Sequence, residues 1–396
     1  MNKYRPIDNI NKITSLEYIV MFLLLCISGN PLFVHSNIEY LYIVSVVLIY
    51  FVCVLKNRRL TSSKLTFWLV FSCLLFLFQY VSLEHTSVAA DINFIARLCI
   101  AFFTASFFGY KFREVYRRVI VFICAMSLIF FMLGLLTKGG FGLRFGRYDT
   151  ILFYNSIVGT YTRNSGMFWE PGAFQGYIMI VFLLYSDNLT LLWKNNKIGC
   201  IIMFITLLTT KSTTGYISFA IFIVSTLIVN KRLNMLYKVI LLVGCIVAAG
   251  YIWNLDFMGE KIVQEYEDAM EIESGDISWS RFGVMMIDIE NIARHPIIGN
   301  GFMGISRYGI IGEYMTGMGN GLSGAVNMFG IPFMVIFFIY MYKNLSYIKQ
   351  INRIVFLITI ALLLSGEYFL NYPFLWSLLF IKVPNNEKNS SITYSS

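Results

Sequence analysis

Two polar stretches of an otherwise apolar chain carry side chains suited to binding a phosphorylated ligand. The first stretch, residues 138–172, holds Arg163 and Glu170. The second stretch, residues 256–321, adds Arg281, Arg294, His295 and Arg307. Guanidinium groups bind phosphate through paired N–H bonds and need no metal to do so. The sequence contains no DxD, HExxH or phosphate-loop motif, so the chemistry that fits is recognition of a diphosphate.

Each of these candidates also has a structural interpretation. Glu170 precedes Pro171 and either caps the following helix, where negative charge is favourable, or projects into an outward-facing cavity. His295 either acts as a general base or lies at a helix C-terminus beside the last carbonyls. Arg97 falls inside an apolar run, which predicts either a functional role or pairing with Asp91 or another interior acid.

Further polar residues lie at predicted helix junctions, and the cysteines do not form a site. Ser212-Thr213-Thr214-Gly215 and Asn320-Gly321 occupy such junctions, where small and hydroxyl residues also permit close helix packing. The seven cysteines lie within apolar stretches without metal-ligand or disulfide spacing. We therefore predict neither a metal site nor a disulfide framework.

The composition predicts that these residues belong to a membrane protein. The chain has 396 residues, of which 57% are hydrophobic and 13% charged, and its mean hydropathy is +0.68. Soluble domains carry about 25% charged residues, which excludes a soluble enzyme, a disordered chain and a coiled coil. We predict an all-α polytopic integral membrane protein, a single transmembrane domain over residues 1–396 with roughly 10–12 transmembrane helices. The candidate spans are 16–34, 38–55, 65–83, 92–110, 119–137, 168–186, 198–212, 213–230, 239–255, 322–342, 354–369 and 370–381.

The distribution of basic residues predicts the orientation of the chain. Most of the 31 Lys and Arg fall in alternate connections, which by the positive-inside rule are cytoplasmic together with both termini. The net charge of +9 therefore indicates basic inner loops rather than nucleic-acid binding. Residues 138–172 and 256–321 become two large outer loops. Helical spacing in the second predicts a helix that ends before Pro296 and lies on the membrane surface or against the bundle, with these apolar positions: Trp279, Phe282, Met286, Ile289 and Ala293.

The polar segments, taken in their order, resemble the bacterial O-antigen polymerases and ligases (Wzy-like). The segments that carry the resemblance are Arg163-x-x-Gly166-x-Phe168-x-Glu170-Pro171, Lys211-Ser212-Thr213-Thr214-Gly215, Arg281 with His295-Pro296-x-x-Gly299-x-Gly301, and Asn320-Gly321 with Gly330. The resemblance extends in outline from about residue 90 to 345. It implies a GT-C-like glycosyltransferase of the bacterial inner membrane whose active site is periplasmic.

The resemblance also implies a reaction. Such enzymes transfer a growing glycan from undecaprenyl diphosphate to an incoming lipid-linked repeat unit, without a metal, a cofactor or nucleotide sugars. By similarity, Arg163 and Arg281 bind the diphosphate and stabilise the leaving group. Glu170 or His295 accepts the proton of the acceptor hydroxyl, with Glu313 as a third candidate. Residues expected to assist substrate binding are Arg97, Arg294, Arg307, Ser212 and Asn320.

One departure from the family pattern bears on the choice between its members. Ligases carry a His immediately before the Asn of the later motif, and that position is Gly319 here. This favours a polymerase and leaves the base open between the candidates. The alternatives are an O-antigen ligase and a flippase or transporter of lipid-linked oligosaccharide. The expected partners are the bilayer, the lipid-linked oligosaccharide and a chain-length regulator, with no nucleic acid.

Overall fold

The computed structural model describes residues 13–34, 38–139, 142–145, 148–157, 161–229, 239, 281–308 and 320–382, and this part of the chain is mostly helical. The helices are α1 (Ser15–Cys26), α2 (Pro31–Val34), α3 (Ile38–Leu55), α4 (Ser63–Ser82), α5 (Val88–Phe108), α6 (Phe112–Leu136), α7 (Pro171–Leu184), α8 (Leu189–Asn195), α9 (Lys197–Thr210), α10 (Thr213–Val229), α11 (Arg281–Arg294), α12 (Gly304–Tyr308), α13 (Gly321–Phe329), α14 (Ile331–Asn344), α15 (Gln350–Gly366) and α16 (Pro373–Ser377). Short 3-10 turns lie at Gly109–Lys111 and Phe369–Asn371.

Several helices have the length and apolarity of membrane spans. Ser63–Ser82 and the continuous stretch Val88–Leu136 qualify directly. Two bent pairs also qualify, α7 with α8 at 108° and α13 with α14 at 117°, which gives up to four spans by length and composition among the described residues. Shorter apolar helices coincide with other predicted runs, whereas nearly all of the run 239–255 lies outside the described residues. The total of roughly 10–12 spans stays a prediction.

The predicted run 322–342 is not one straight helix. Helix α13 ends at Phe329, and Gly330 follows it with a φ of +83°, a conformation that favours glycine. Helix α14 begins at the next residue and has Pro332 in its first turn. The backbone N–H of Ile331 donates to the carbonyl of Pro296 at 2.8 Å. The Pro-containing turn after α11 therefore packs into the break between the two helices.

Part of the first predicted loop forms a small sheet that the sequence analysis did not predict. Strands β1 (Leu143–Phe145), β2 (Tyr148–Ile151) and β3 (Tyr154–Ile157) pair antiparallel in the order β1-β2-β3. Asn155 on β3 donates its side-chain amide to the carbonyls of Phe168 (2.7 Å) and Trp169 (3.2 Å). The sheet thereby supports the segment that leads into α7.

The core of the described chain is aromatic. Trp376 packs edge to face against Phe94 with centroids 5.1 Å apart, and Phe329 stacks on Phe333 at 4.7 Å. Trp68 contacts both Phe333 and Trp376. These contacts join α4, α5, α13, α14 and α16, and offset aromatic pairs of this kind add to the packing energy of a bundle.

Helix α11 spans Arg281–Arg294 and ends before Pro296, as predicted, but its faces are arranged unexpectedly. Asp288 and Asn291 are buried at 0% and 4% exposure, whereas Met286 and Ile289 are 44% and 52% exposed. Of the predicted apolar stripe, Met286, Ile289 and Ala293 are thus exposed, while Asp288 and Asn291 face the protein interior; Trp279 and the side chain of Phe282 lie outside the described part of the chain. The buried polar face packs against α13, and placement of the helix on a membrane surface stays a prediction.

Candidate functional site

Arg163 is held in place by the residue that follows it. The backbone N–H of Asn164 donates to the carbonyl of Thr209 at 3.0 Å, and its side-chain amide donates to Thr209 Oγ1 at 3.0 Å. Its own Oδ1 accepts the N–H of Gly166 at 2.9 Å. The segment before α7 is therefore fastened to the end of α9, which fixes Arg163 beside the junction that contains Ser212.

Glu170 occupies the N-cap position of α7, with Pro171 in the first turn. Its side chain makes no capping hydrogen bond. Instead, its Oε2 lies 3.4 Å from Nη2 of Arg281. Glu170 therefore lies at the helix start, as its first interpretation has it, but its carboxylate contacts an arginine of the second polar segment and does not cap the helix.

Arg281 is the first residue of α11 and lies between two carboxylates. Its Nη2 is 3.4 Å from Oε2 of Glu170 and 3.4 Å from Oε1 of Glu367. Both distances correspond to ion pairs with weak hydrogen bonds. The arginine is thus the point at which the second loop, the start of α7 and the end of α15 meet.

A buried carboxylate fixes the helix that carries Arg281. Asp288 is fully buried and accepts hydrogen bonds from Tyr308 (2.7 Å), Ser323 (2.5 Å) and Asn327 (2.8 Å). Because Ser323 and Asn327 belong to α13, these bonds hold α11 against α13. A buried anion needs such donors to offset its desolvation.

The sequence analysis did not identify Glu367, which is the most buried carboxylate of the site. It follows α15 and its side chain is only 5% exposed. The indole Nε1 of Trp169 donates to Glu367 Oε2 at 2.8 Å. Gly172 lies directly against Oε1, and Gly321 lies against the backbone of Glu367, so a β carbon at either position would overlap it. The available signal was a single carboxylate within the apolar runs 354–369 and 370–381.

These residues surround a small polar cavity of about 40 Å³. Its lining residues are Arg163, Glu170, Gly172, Ser212, Thr213, Thr214, Arg281 and Glu367. Two guanidinium groups, two carboxylates and the hydroxyl residues after Lys211 therefore face one volume. A cavity of this size accommodates water-sized groups.

The charges of the cavity act on one another. Burial lowers the pKa of Arg163, and the nearby positive charge of Arg281 acts in the same direction. The carboxylates of Glu170 and Glu367 oppose this shift. Nε of Arg163 is buried without a hydrogen-bond partner in the described part of the chain. The described residues therefore satisfy the hydrogen-bond donors of Arg163 only in part.

Other predicted site residues lie away from the cavity. Arg294 and His295 are at the opposite end of α11 from Arg281, about 20 Å along a helix of 14 residues. His295 is partly exposed, and its carbonyl accepts the N–H of Gly299 at 2.8 Å. The structure thus places His295 at a helix C-terminus and does not bring it to Arg163 and Arg281.

The turn that follows His295 packs inside the protein. Gln79 of α4 donates its side-chain amide to the carbonyls of Ile298 (2.6 Å) and Met328 (2.8 Å). Asn300 donates to Asn327 Oδ1 at 2.7 Å. This part of the second-loop pattern therefore joins α4, α11 and α13, and it lines no part of the cavity.

Arg307 lies on α12, and Asn320 lies at the start of α13. The guanidinium of Arg307 lies over the ring of Tyr308, 5.1 Å from its centroid. Asn320 is the N-cap of α13, where its Oδ1 accepts the backbone N–H of Leu322 (3.0 Å) and Ser323 (3.1 Å). Neither residue lines the cavity, although Gly321, which follows Asn320, contacts Glu367. Gly319 and Glu313 lie outside the described residues.

Arg97 is separate from the site and is enclosed by aromatic rings. It is 9% exposed on α5, and its guanidinium lies 5.7–5.9 Å from the ring centroids of Tyr42, Phe94 and Phe302. No ion pair joins it to Asp91 or to another carboxylate in the part of the chain that the structure describes. Cation–π contacts take the place of the predicted pairing.

No protein-family model, no curated protein and no solved structure matches this chain.

Proposed function

We propose that this chain is a metal-independent membrane glycosyltransferase that polymerises oligosaccharide repeat units carried on undecaprenyl diphosphate. It transfers the growing glycan from its lipid carrier to the incoming repeat unit. The observation that carries the proposal is that Arg163 and Arg281, which belong to different polar segments, line the same cavity. Two fixed guanidinium forks suit a diphosphate because each can donate two N–H bonds to phosphate oxygens.

The same two arginines explain how the reaction is accelerated. As the bond between the anomeric carbon and the phosphate oxygen breaks, negative charge accumulates on the departing diphosphate. Cations positioned beforehand stabilise that charge more strongly in the transition state than in the ground state. The hydroxyl groups of Ser212, Thr213 and Thr214 add hydrogen-bond donors at the same cavity.

Before the substrate binds, carboxylates satisfy Arg281. Glu170 and Glu367 are its ion-pair partners at 3.4 Å, and the cavity of about 40 Å³ admits only water-sized groups. A diphosphate therefore replaces at least one carboxylate on Arg281 and opens the cavity outward. This exchange of one anion for another keeps the guanidinium paired throughout, which limits the cost of desolvating it.

The proposal includes the finer topology that the sequence predicts. The chain lies in the bacterial inner membrane with roughly 10–12 spans and cytoplasmic termini. Residues 138–172 and 256–321 are periplasmic, so the cavity faces lipid-linked units on the outer leaflet. A chain-length regulator is a further partner. Of the bases that the sequence analysis named, Glu170 lines the cavity and His295 does not, whereas Glu313 lies outside the described residues.

The test is the surface glycan of a strain that lacks this protein. Loss of the polymerase leaves single repeat units attached to their final acceptor, and the ladder of longer chains disappears on a gel. Restoring the gene restores the ladder. Long unattached chains on the lipid carrier would instead indicate a ligase, and complete absence of periplasmic repeat units would indicate a flippase; either result contradicts the proposal.

A further inference from the structure

Glu367 has the properties of a group that takes part in the reaction rather than one that only holds the fold. Both of its carboxylate oxygens have defined neighbours: Oε2 accepts the indole N–H of Trp169, and Oε1 lies beside Arg281 and Gly172. Its side chain is 5% exposed, whereas that of Glu170 is 28% exposed. The two carboxylates that face Arg281 thus differ in their access to water.

The surroundings of Glu367 fix it without filling the space in front of it. Trp169 is itself packed against Phe369 and Tyr372, with ring centroids 5.7 and 4.6 Å apart. The missing side chain of Gly172 leaves room for Oε1 at the wall of the cavity. A base must lie within hydrogen-bond reach of the proton that it removes, and its position must be held by other groups.

We infer that Glu367 is the general base that accepts the proton of the acceptor sugar hydroxyl, a role that rests on the proposed function. The acceptor oxygen forms a bond to the anomeric carbon of the donor glycan. The bond from that carbon to the diphosphate oxygen breaks, and its electron pair leaves with undecaprenyl diphosphate beside Arg163 and Arg281. The hydroxyl proton moves to Oε1 of Glu367 and is later released to water.

Burial gives this base an advantage over Glu170. Water is the competing acceptor, and its attack would release the glycan from the carrier by hydrolysis. An enzyme limits such side reactions by keeping its base in a water-excluded position. The cavity beside Glu367 accommodates a group of the size of one hydroxyl. Glu170, which is more exposed at the start of α7, then serves to position Arg281.

The experiment separates binding from chemistry in the purified full-length protein in lipid nanodiscs. Binding is measured with undecaprenyl diphosphate, which is the leaving product. Turnover is measured with the lipid-linked repeat unit extracted from the strain that lacks this protein. We expect Glu367→Gln to bind undecaprenyl diphosphate within threefold of the wild type and to lose at least about 100-fold in turnover. Glu170→Gln should keep at least about tenfold more turnover than Glu367→Gln.

Provided that the wild-type protein elongates the glycan, either of two results for Glu367→Gln would overturn the role of Glu367. One is turnover within tenfold of the wild type. The other is loss of binding in parallel with loss of turnover, which indicates a structural role. If the Glu367→Gln protein does not insert into the membrane, the variant Trp169→Phe tests the role of Glu367 instead. It removes the N–H donor to Oε2 but keeps the aromatic packing, and unchanged turnover in this variant overturns the inference. Absence of elongation by the wild-type protein rejects the proposed function itself.

Discussion

Gly172 lies directly against the carboxylate of Glu367, at a position where a β carbon would overlap Oε1. Gly172 stands in the first turn of α7, immediately after Pro171, where an alanine would favour the helix by about 1 kcal/mol. The presence of glycine at this position is therefore explained by the carboxylate and not by the helix.

The substitution Gly172→Ala should reduce glycan polymerisation at least about tenfold while the protein remains inserted and folded. The new methyl group displaces the flexible end of Glu367 from Trp169 and Arg281, which disturbs the cavity at little cost in stability. Ladder length on a gel and membrane abundance measure the two effects. The matched control is Gly324→Ala in α13, where a β carbon would meet only ordinary contacts at 3.5 and 3.9 Å. Equal effects of the two substitutions would contradict this account.

Removal of either cavity arginine should abolish polymerisation. Arg163→Ala and Arg281→Ala each remove a fork that binds the diphosphate and stabilises the leaving group, a loss of about 100-fold or more. Lysine should restore activity only in part, because its ammonium is a point charge. The readout is the glycan ladder, normalised to the amount of protein in the membrane.

Two exposed arginines serve as controls for the cavity arginines. Arg144 lies on β1 of the first polar segment, and Arg294 lies at the far end of α11; both are exposed and neither lines the cavity. Their alanine variants should keep ladders of wild-type length. Normal ladders from Arg163→Ala and Arg281→Ala would remove the diphosphate role.

Substitution of Asp288 should destabilise the protein. Asp288→Ala removes the acceptor of the Tyr308 hydroxyl and the Asn327 amide and leaves the Ser323 hydroxyl only its longer bond to the carbonyl of Asn320, at a cost of about 3 kcal/mol. Thermal unfolding in detergent measures this loss. Glu290→Ala is the control, because Glu290 is exposed on the same helix. A transition temperature for Asp288→Ala equal to that of Glu290→Ala would show that the network does not hold α11.

Two buried arginines should respond oppositely to substitution by leucine. Arg97→Leu removes a buried cation that contacts three aromatic rings and has no ion pair among the described residues, so the free energy of unfolding should stay within about 1 kcal/mol or rise. Arg117→Leu removes a guanidinium that donates to both oxygens of Glu114 at 3.0 and 2.5 Å. It should destabilise the protein by about 2–3 kcal/mol. A larger loss for Arg97→Leu than for Arg117→Leu would be contrary to this prediction.

The sequence predicted the segments that meet at the cavity better than it predicted the full set of residues. Arg163, Glu170 and Ser212 were predictable because each is polar and stands near the edge of an apolar run, and Arg281 because it is a cation at the predicted helix of the second polar segment. Glu367 was missed because hydropathy patterns record where a helix ends and not which neighbouring helix its last residue faces. The same limitation applies to His295 and Asn320, whose residue types suggest chemistry, although His295 follows the last residue of a helix and the side chain of Asn320 caps the start of another.

The secondary structure followed the apolar runs closely where local signals were strong. Pro171 marks the start of α7 and Pro296 follows the end of α11, as proline geometry requires. The Gly330-Ile331-Pro332 sequence predicts an interruption of the run 322–342, but the 117° angle between α13 and α14 was not predictable, because an apolar run of about 20 residues satisfies the length of a span whether or not it is straight. The sheet at residues 143–157 was missed because its strands contain only three or four residues each.

The outward-facing Met286 and Ile289 restrict how the second polar segment can be studied apart from the rest of the protein. A peptide of this region would expose the apolar side chains of Met286 and Ile289 and would lack the two hydrogen-bond donors, Ser323 and Asn327, that α13 supplies to Asp288. Such a fragment should aggregate in buffer instead of folding. Antibodies against this stretch are better raised, and chemical probes of it better tested, with the whole protein in cells or in detergent.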